Sequence, residues 1–421
     1  MAKWKTSPLA AVCTVFGDGD WIESKDQSPE GVRLVQTGNV GEGEFKDRAE
    51  KARFISQDTF TRLRCTEIFT GDCLISRLPD PVGRACLIPE TGERMITAVD
   101  CTIVRFDQSK LLPEFFVHYS QAGDYLAAVE RESTGTTRKR ISRARLGQIP
   151  VPLPPLSEQR RIVAILDEAF EVIATAKANT EKNLQSTREV FRVRLRSIFG
   201  AVEGQPLPDG WYETHIGTLG IVQSGAGFPL AVQRLVDGGI PFYKVSDMNI
   251  PGNEREMLYE NNSVTETARK KLGASIFPSG SVIFPKIGGA IATNKKRIAT
   301  RDCCVDNNVM GVIPRLDKVT PAFLFLFFLG RDLSDFANEA HLPSIRKTVV
   351  ENWKVSVPRS LDEQTRIASE LELLEDQVES LERICAAKLA ALDELKKSLL
   401  RQAFTGQMTA KFTDQQLTET A

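Results

Sequence analysis

Histidine is scarce in this chain: three in 421 residues, at His118, His215 and His341, far apart and without metal-ligand spacing. The eight cysteines are scattered without a CxxC pair, although Cys303 and Cys304 are adjacent. Reduced, buried thiols are therefore expected rather than disulfides or a zinc site. The longest apolar run, Ala322–Gly330, is far too short to cross a membrane. The opening MAKWKTSPLA has no long apolar core, so no signal peptide is expected, and the cytoplasm is the expected location. Neither sign of charge is in excess, with 54 basic against 55 acidic residues. A near-neutral total neither advertises nor excludes nucleic acid, because local patches decide that. Catalytic signatures are missing too. There is no GxxxxGK[ST] phosphate loop, no HExxH and no NPPY-type tetrad. Phe16-Gly17-Asp18-Gly19-Asp20 is glycine-rich but lacks FxGxG spacing and reads as a turn. Pro208-Asp209 before Glu213 and His215 echoes a nuclease site without its lysine and reads as chance. These absences point to a protein that is not an enzyme and holds no cofactor or metal of its own.

What the chain does have is two long helical stretches. Leu156–Phe199 opens LSEQRRIVAILDEAF, and Leu361–Phe404 opens LDEQTRIASELELLE. Each follows a proline-bearing lead, PLPP and VPRS, as chain entering a helix often does. Ser157 and Asp362 sit at the expected N-caps, and Gly200 and Gly406 at the expected ends. The second stretch carries Ile367, Leu371, Leu374, Val378, Leu381, Cys385, Leu389, Leu392, Leu395 and Leu399 on one stripe. The first carries Ile162, Leu166, Ala169, Ile173, Ala176, Thr180, Leu184, Phe191, Leu195 and Ile198. One narrow heptad stripe of this length predicts a coiled coil, with a larger helical bundle as the alternative. Residues 156–200 carry 8 basic and 6 acidic residues, and 359–405 carry 7 and 10. Net charges of +2 and −3 favour pairing the two with each other. At 1.5 Å per residue each would be a rod of roughly 65 Å.

The chain also repeats itself. Trp4 matches Trp211; Gly71, in FTGDCLISR, matches Gly280, in FPSGSVIFPK; Pro113 matches Pro321; Arg138-Lys139 matches Arg346-Lys347; and LSEQ at 156 matches LDEQ at 361. The offsets run from 205 to 209. Two copies of one unit follow, each a head of about 150 residues and then a long helix. Runs such as GVRLVQTGNV, CLISRL, ACLIP, CTIVRF, IPFYKV, SVIFPK, AIAT and VMGVIPR read as short strands between Gly, Pro and Asp turns. Helices are predicted after Pro113 and after Pro321. Each head is therefore expected to be α+β, with a curled, mostly antiparallel sheet. The rods would pair antiparallel, giving a pseudo-two-fold repeat.

The boundary PLPPLSEQRRIVAILDE, its echo VPRSLDEQTRIASELELLE, the phrase LPDGW at Leu207–Trp211 and the closing RQAFTGQMT resemble the specificity subunit of Type I restriction–modification systems. The resemblance runs in order along the whole chain. The second lead lacks the PLPP of the first, which bears on docking at that end. The family likeness implies target recognition domains at 1–152 and 205–358, spacer helices at 153–200 and 359–405, and a tail at 406–421. It implies a non-catalytic reader of a split double-stranded DNA target, with unequal halves. It also implies docking of two adenine-methylating modification subunits that use S-adenosylmethionine, and of restriction subunits that use ATP and Mg. No membrane partner is implied.

Candidate DNA contacts are the local basic clusters. Arg138, Lys139 and Arg140, with Arg143 and Arg145, follow the STGTT segment; Lys295, Lys296 and Arg297 lie in the expected turn ATNKKRIAT; Arg346 and Lys347 read as an echo of the first cluster. Such residues would neutralise phosphates and set orientation. Arg77, Arg84 and Lys286 flank glycine turns and could reach bases. Gln36-Thr37-Gly38-Asn39 and Lys244-Val245-Ser246-Asp247 are further candidate readers. For each, a solvated surface charge is the plain alternative. Two other function classes remain at this stage: a rod-spaced scaffold for two protein partners without DNA, and an enzyme whose site is assembled from residues distant in sequence.

Overall fold

A computed structural model describes residues 4–135, 138–199, 206–233, 235 and 237–407. The chain divides into two compact units, Met1–Glu181 with Ala386–Ala421, and Lys182–Cys385. The two long helices span Leu156–Phe199 and Leu361–Phe404, the stretches bounded in the sequence by the proline leads and closing glycines. Each helix therefore contributes to both units.

In the first unit, Thr6–Pro8 pairs antiparallel with Pro150–Pro152 and so ties the two ends of the head together. An all-antiparallel sheet runs in the order Cys13–Asp18, Cys101–Phe106, Cys73–Ser76, Ala85–Leu87. A second sheet, in the order Gln27–Ser28, Phe54–Ile55, Val32–Val35, Met95–Thr97, Glu67–Ile68, is mixed, because Val32–Val35 and Met95–Thr97 run parallel. The second unit repeats the plan. Trp211–His215 pairs with Lys354–Pro358, and a five-stranded sheet runs Gly220–Ser224, Val309–Pro314, Val282–Pro285, Arg297–Ala299, Glu256–Met257. A three-stranded sheet places Ile240–Tyr243 between Ser263–Val264 and Cys304–Val305. The single curled sheet expected for each head is thus several small sheets. Their strands are two to six residues long, and glycine turns break them. Gly71 and Gly280 occupy equivalent turns at φ +85° and +86°, a region that side-chain-bearing residues rarely adopt.

Other local expectations shift. Cys13–Asp18 is a strand and Asp20 bridges Ala98, so the glycine-rich stretch at Phe16 is extended and not the expected turn. AIAT lies in a 3-10 helix, Gly288–Thr293, not a strand. The helix after Pro113 breaks into Pro113–Tyr119 and Gly123–Glu132. Pro321–Leu329 follows Thr320, whose hydroxyl accepts from Phe323 N.

The rods enter the heads through one side chain each. Both helices start one residue earlier than the expected caps, so Ser157 and Asp362 lie inside the first turn. The Ser360 hydroxyl accepts from Glu363 N at 3.3 Å, and Pro155 O accepts from Glu158 N and Gln159 N in the other copy. Gly406 adopts φ +74° just past Phe404, the left-handed helix close expected there; Gly200 lies outside the described residues. Gln159 and Gln364 are both fully buried. Gln159 Oε1 accepts from Leu112 N at 2.8 Å, and its Nε2 donates to Lys110 O and Pro154 O, each at 2.9 Å. Gln364 repeats the pattern, with Thr320 N at 2.9 Å, Lys318 O at 3.0 Å and Pro358 O at 2.9 Å. Each amide fixes the first turn of a rod to the segment that starts the head's own helix.

Apolar packing continues from there. In the first unit Ile162 and Leu166 join Phe115, Phe116, Tyr125, Leu400 and Ala403 in one core. Burying each of those aliphatic side chains is worth about 1.5–3 kcal/mol. The rods run antiparallel in this unit, since Phe170 lies under Lys396 while the later Lys177 pairs with the earlier Asp393. In the second unit Leu195 and Phe199 share a core with Ile367, Leu371 and Phe323, while the earlier Arg188 pairs with the later Glu382 at 2.8 Å, again antiparallel. Thr180, the weak point of the stripe, is 2% exposed and satisfies its hydroxyl on Ala176 O at 2.7 Å. Leu381 and Leu395 depart from the expected seam: they are 49% and 47% exposed, and the neighbouring Glu382 and Lys396 are less exposed than they are.

Two outcomes follow from this packing. Gln159→Leu removes one acceptor and two donors and leaves Leu112 N, Lys110 O and Pro154 O without these partners, at about 1–3 kcal/mol for each that stays out of water. We expect a loss on the order of 3–5 kcal/mol in denaturant unfolding, and the same for Gln364→Leu. A loss below about 1 kcal/mol would mean that the amide is not holding the helix start. His118 is buried, with Nε2 2.8 Å from Asp167 on the first rod and its ring edge-on to Phe170. Burial pushes its pKa below the usual histidine value, and Asp167 only partly offsets that. The unfolded chain therefore binds more protons as pH falls through about 6.5. Stability from neutral His118 is complete above that pH and is lost below it, so the stability advantage over His118→Asn should shrink between pH 7 and 5. An advantage that grows on acidification would contradict this.

Candidate nucleic-acid interface

In the first unit, the chain ends of Cys13–Asp18, Cys73–Ser76 and Cys101–Phe106 meet the segment that leads into the short helix Arg143–Gly147. Ile141 N donates to Arg77 O at 3.3 Å, and Arg77 N donates to Asp100 O at 2.9 Å. This brings Arg77, Arg140 and Arg143 around two carboxylates. Arg77 Nη2 lies 3.1 Å from Asp18, Arg140 Nη2 2.8 Å from Asp100, and Arg143 Nε 3.6 Å from Asp18. Arg77 is 5% exposed and also donates to Val99 O. Burial lowers its pKa, with Asp18 opposing. Arg140 and Arg143 remain about half exposed at their side chains. Lys139 is exposed and pairs with Glu130, and Arg138 is exposed with no side-chain partner among the described residues. Thr134 and Arg140 exchange backbone bonds at 2.8 and 2.9 Å.

Arg84 does not join them. It is 8% exposed, and its guanidinium donates to four carbonyls: Val40 at 2.7 Å, Leu78 and Thr37 at 2.8 Å, and Pro81 at 3.0 Å. Its donors are directed inward, and burial lowers its pKa. Asn39 likewise turns inward, accepting from Gln36 N and donating to Lys46 O, each at 2.9 Å.

In the second unit Ile345 N donates to Lys286 O at 2.9 Å, and Lys286 N donates to Asn308 O at 2.9 Å. These are the bonds made by Ile141, Arg77 and Asp100 in the first unit. They set the structural offset at this point to 204, so Arg346 corresponds to Ser142 and Lys347 to Arg143. The expected match of Arg346-Lys347 to Arg138-Lys139 at 208 is thereby corrected. The echo that survives is one basic residue at the first position of each short helix, Arg143–Gly147 and Lys347–Glu351. Arg346 is exposed, and Lys347 is exposed and 3.5 Å from Glu351.

The cluster Lys295-Lys296-Arg297 splits. Lys295 is partly exposed and donates to Asn249. Lys296 is 2% exposed and donates to Asn294 Oδ1 and Arg331 O, each at 2.5 Å; burial pushes its pKa down to about 8, with Asp332 opposing. Arg297, 8% exposed, donates to Lys296 O at 2.8 Å and Met248 O at 3.0 Å. Asp247 is fully buried and accepts from Lys244 N at 2.6 Å and Asn261 Nδ2 at 2.8 Å, holding its loop. Lys244 donates instead to Gln233 at 3.1 Å. Sequence reasoning passed over Asp18, Asp100, Ser224 and Asn308, the polar residues around Arg77 and Lys286. Their only sequence signal is position: each pair, Asp18 with Ser224 and Asp100 with Asn308, recurs near the repeat offset. Among the described residues no group of three or more His, Cys, Asp or Glu side chains is arranged to hold a metal ion, and no helix is long and apolar enough to cross a membrane.

Comparisons with known proteins agree with this layout. The sequence model of the Type I restriction modification DNA specificity domain matches residues 1–185 and again 208–387. The chain is 22% identical over 380 residues to a putative Type I restriction enzyme MjaX specificity subunit of Methanocaldococcus jannaschii, covering 85% of this chain and 82% of that protein. It is 30% identical over 336 residues to the Type I restriction enzyme EcoDI specificity subunit of Escherichia coli, covering 72% of each. Among solved structures, it resembles a chain from work on complex assembly and conformational transition of the type I R-M system, with a TM-score of 0.77, 19% identity, and coverage of 96% of this chain and 98% of that one. It also resembles the HsdS subunit from Thermoanaerobacter tengcongensis, with a TM-score of 0.59, 20% identity, and coverage of 96% and 97%. With the specificity-domain match falling on both halves of a repeat whose hydrogen bonds are themselves repeated, this chain belongs to the Type I restriction–modification DNA specificity family.

Proposed function

We propose that the chain is the non-catalytic, DNA-reading specificity subunit of a Type I restriction–modification system. The observation that carries this is the double match to the DNA specificity domain, once in each repeat. Residues 1–152 and 205–358 are the two readers in this proposal, one for each of the unequal halves of a split site. Arg138, Lys139, Arg140 and Arg143 are the phosphate contacts of the first reader; Arg346, Lys347 and Lys295 are those of the second. Arg84, Lys296 and Arg297, with their donors turned onto backbone carbonyls, act as internal supports of the reading loops.

The long helices carry the partners. In the second unit Val190 and Val193 on one rod, and Leu373, Leu381 and Ile384 on the other, are 49–60% exposed. Exposed apolar side chains on paired helices suit a helical partner surface. We assign them to docking of modification subunits, two per chain as the internal repeat suggests. S-adenosylmethionine then belongs to those subunits, and ATP with Mg to any restriction subunits that join.

The purified chain alone should neither methylate nor cleave DNA, whereas with its modification subunit it should bind DNA in a salt-dependent way. Replacing Arg138, Lys139 and Arg140 together by Ala should weaken binding to all sequences alike. The slope of log affinity against log salt should fall by about one to three, since each lost phosphate contact removes about 0.9. Turnover by the chain alone, or binding insensitive to both salt and the triple substitution, would contradict the proposal.

A further inference from the structure

Resting on the DNA-reading function above, we infer that Lys286 is a direct DNA contact of the second unit, whereas Arg77, which has the same main-chain position in the first unit, is not.

The two positions are built by the same scaffold. Each residue donates its N–H to the carbonyl of Asp100 or Asn308 and accepts at its own carbonyl from Ile141 or Ile345. Beside them, Asp20 bridges Ala98 in the first unit and Ala226 bridges Asp306 in the second. The preceding glycines have no room for a side chain. A Cβ on Gly19 would lie 2.3 Å from Ala98 O, and one on Gly225 2.0 Å from Asp306 O. The backbone thus delivers a cation to the same place in both heads.

The surroundings differ in their carboxylates: two of the first unit's have no counterpart in the second, and Asp306 stands there where the first unit has Ala98. Around Arg77 stand Asp18 and Asp100; around Lys286 the equivalent residues are Ser224 and Asn308. Arg77 is closed in at 5% exposed, ion-paired with Asp18 at 3.1 Å and donating to Val99 O, and its Nε, without a partner among the described residues, is itself buried. Lys286 is only partly buried, and among the described residues its Nζ makes one hydrogen bond, to Ser224 Oγ at 3.1 Å. Among the described residues no carboxylate lies within ion-pair distance of it. Asp306 is the opposite charge that acts on it, but it is 5% exposed and its oxygens accept from Asn308 N at 3.0 Å and Asn308 Nδ2 at 3.1 Å. Burial lowers the Lys286 pKa, with Asp306 opposing, as expected for a cation whose partner is not in place.

An ammonium has three donors, and one is used on Ser224. The remaining donors suit an acceptor oxygen or nitrogen of DNA, either the O6 and N7 of a guanine or a phosphate oxygen. Both sources present the same chemistry, and they separate in the test.

The assay uses the full chain with its modification subunit. It measures affinity for specific DNA across a salt series and maps the methylated sequence. For Lys286→Gln we expect a several-fold weaker complex, with Lys286→Arg retaining binding. A base preference changed only in the half read by residues 205–358 identifies a base contact. An unchanged preference with a salt slope lower by about one identifies a phosphate contact. Either supports the inference. Ser224→Asp provides a second arm that leaves Lys286 in place: it restores the carboxylate of the first unit and should weaken binding as Lys286→Gln does, with no further loss in the double variant. Arg77→Gln should lower the melting temperature and leave slope and sequence preference unchanged. Variants at Lys286 and Ser224 that fold, bind and methylate as the parent does would overturn the inference while leaving DNA reading intact. Failure of the parent complex to bind DNA at all would instead remove the function on which it rests.

Discussion

The amide of Gln159 does in the first unit what the amide of Gln364 does in the second: it joins the start of a 44-residue helix to the segment that begins the head's own helix. Each is fully buried and uses its acceptor once and its donors twice. A long helix propagates any error in its first turn along its whole length, so the direction of each rod depends on how that turn is held. Apolar packing of Ile162 and Leu166, or of Ile367 and Leu371, supplies most of the attraction. Apolar packing is not directional; the amide is, and it selects one orientation of helix against head. A DNA reader carried on such a head inherits that orientation.

The same economy governs the charges. Arginines and lysines in these heads serve two ends, and burial separates them. Arg84, Lys296 and Arg297 have turned their donors onto backbone carbonyls of loops that lack regular partners. A cation in that position is costly to bury, and the carbonyls offset that cost by accepting its donors. Arg138, Arg140, Arg143, Arg346 and Lys347 keep their charge at the surface, where it can replace counterions on a phosphate backbone.

Much of this architecture is legible in the sequence, and the reason is periodicity. The heptad stripes marked the two long helices, the proline leads and closing glycines bounded them, and the repeat of LSEQ as LDEQ marked where each begins. The role of the glutamine in that motif was not legible, because its partners at Lys110 and Leu112, or Lys318 and Thr320, lie more than forty residues earlier. The sheets were only partly legible. Strands of two to six residues take their partners from tertiary context, and AIAT became a 3-10 turn although its composition suits a strand. Among the basic residues, the sequence could not separate Lys295 from Lys296 and Arg297. That distinction depends on carbonyls at Arg331 and Met248, 35 and 49 residues away. Leu381 and Leu395 were placed in the seam because leucine is apolar, but the helix phase puts Glu382 and Lys396 closer to it.

The central claim is that one chain carries two independent readers of DNA. It is tested most directly by exchanging residues 1–152 for the corresponding segment of another member of the family and mapping, across a whole genome, the sites methylated by the chimera with the same modification subunit. The account predicts a split site in which one half is new and the other is retained. A site changed in both halves, from a chimera whose helical content matches the parent, would contradict it, because it would mean that the two heads read DNA as one surface.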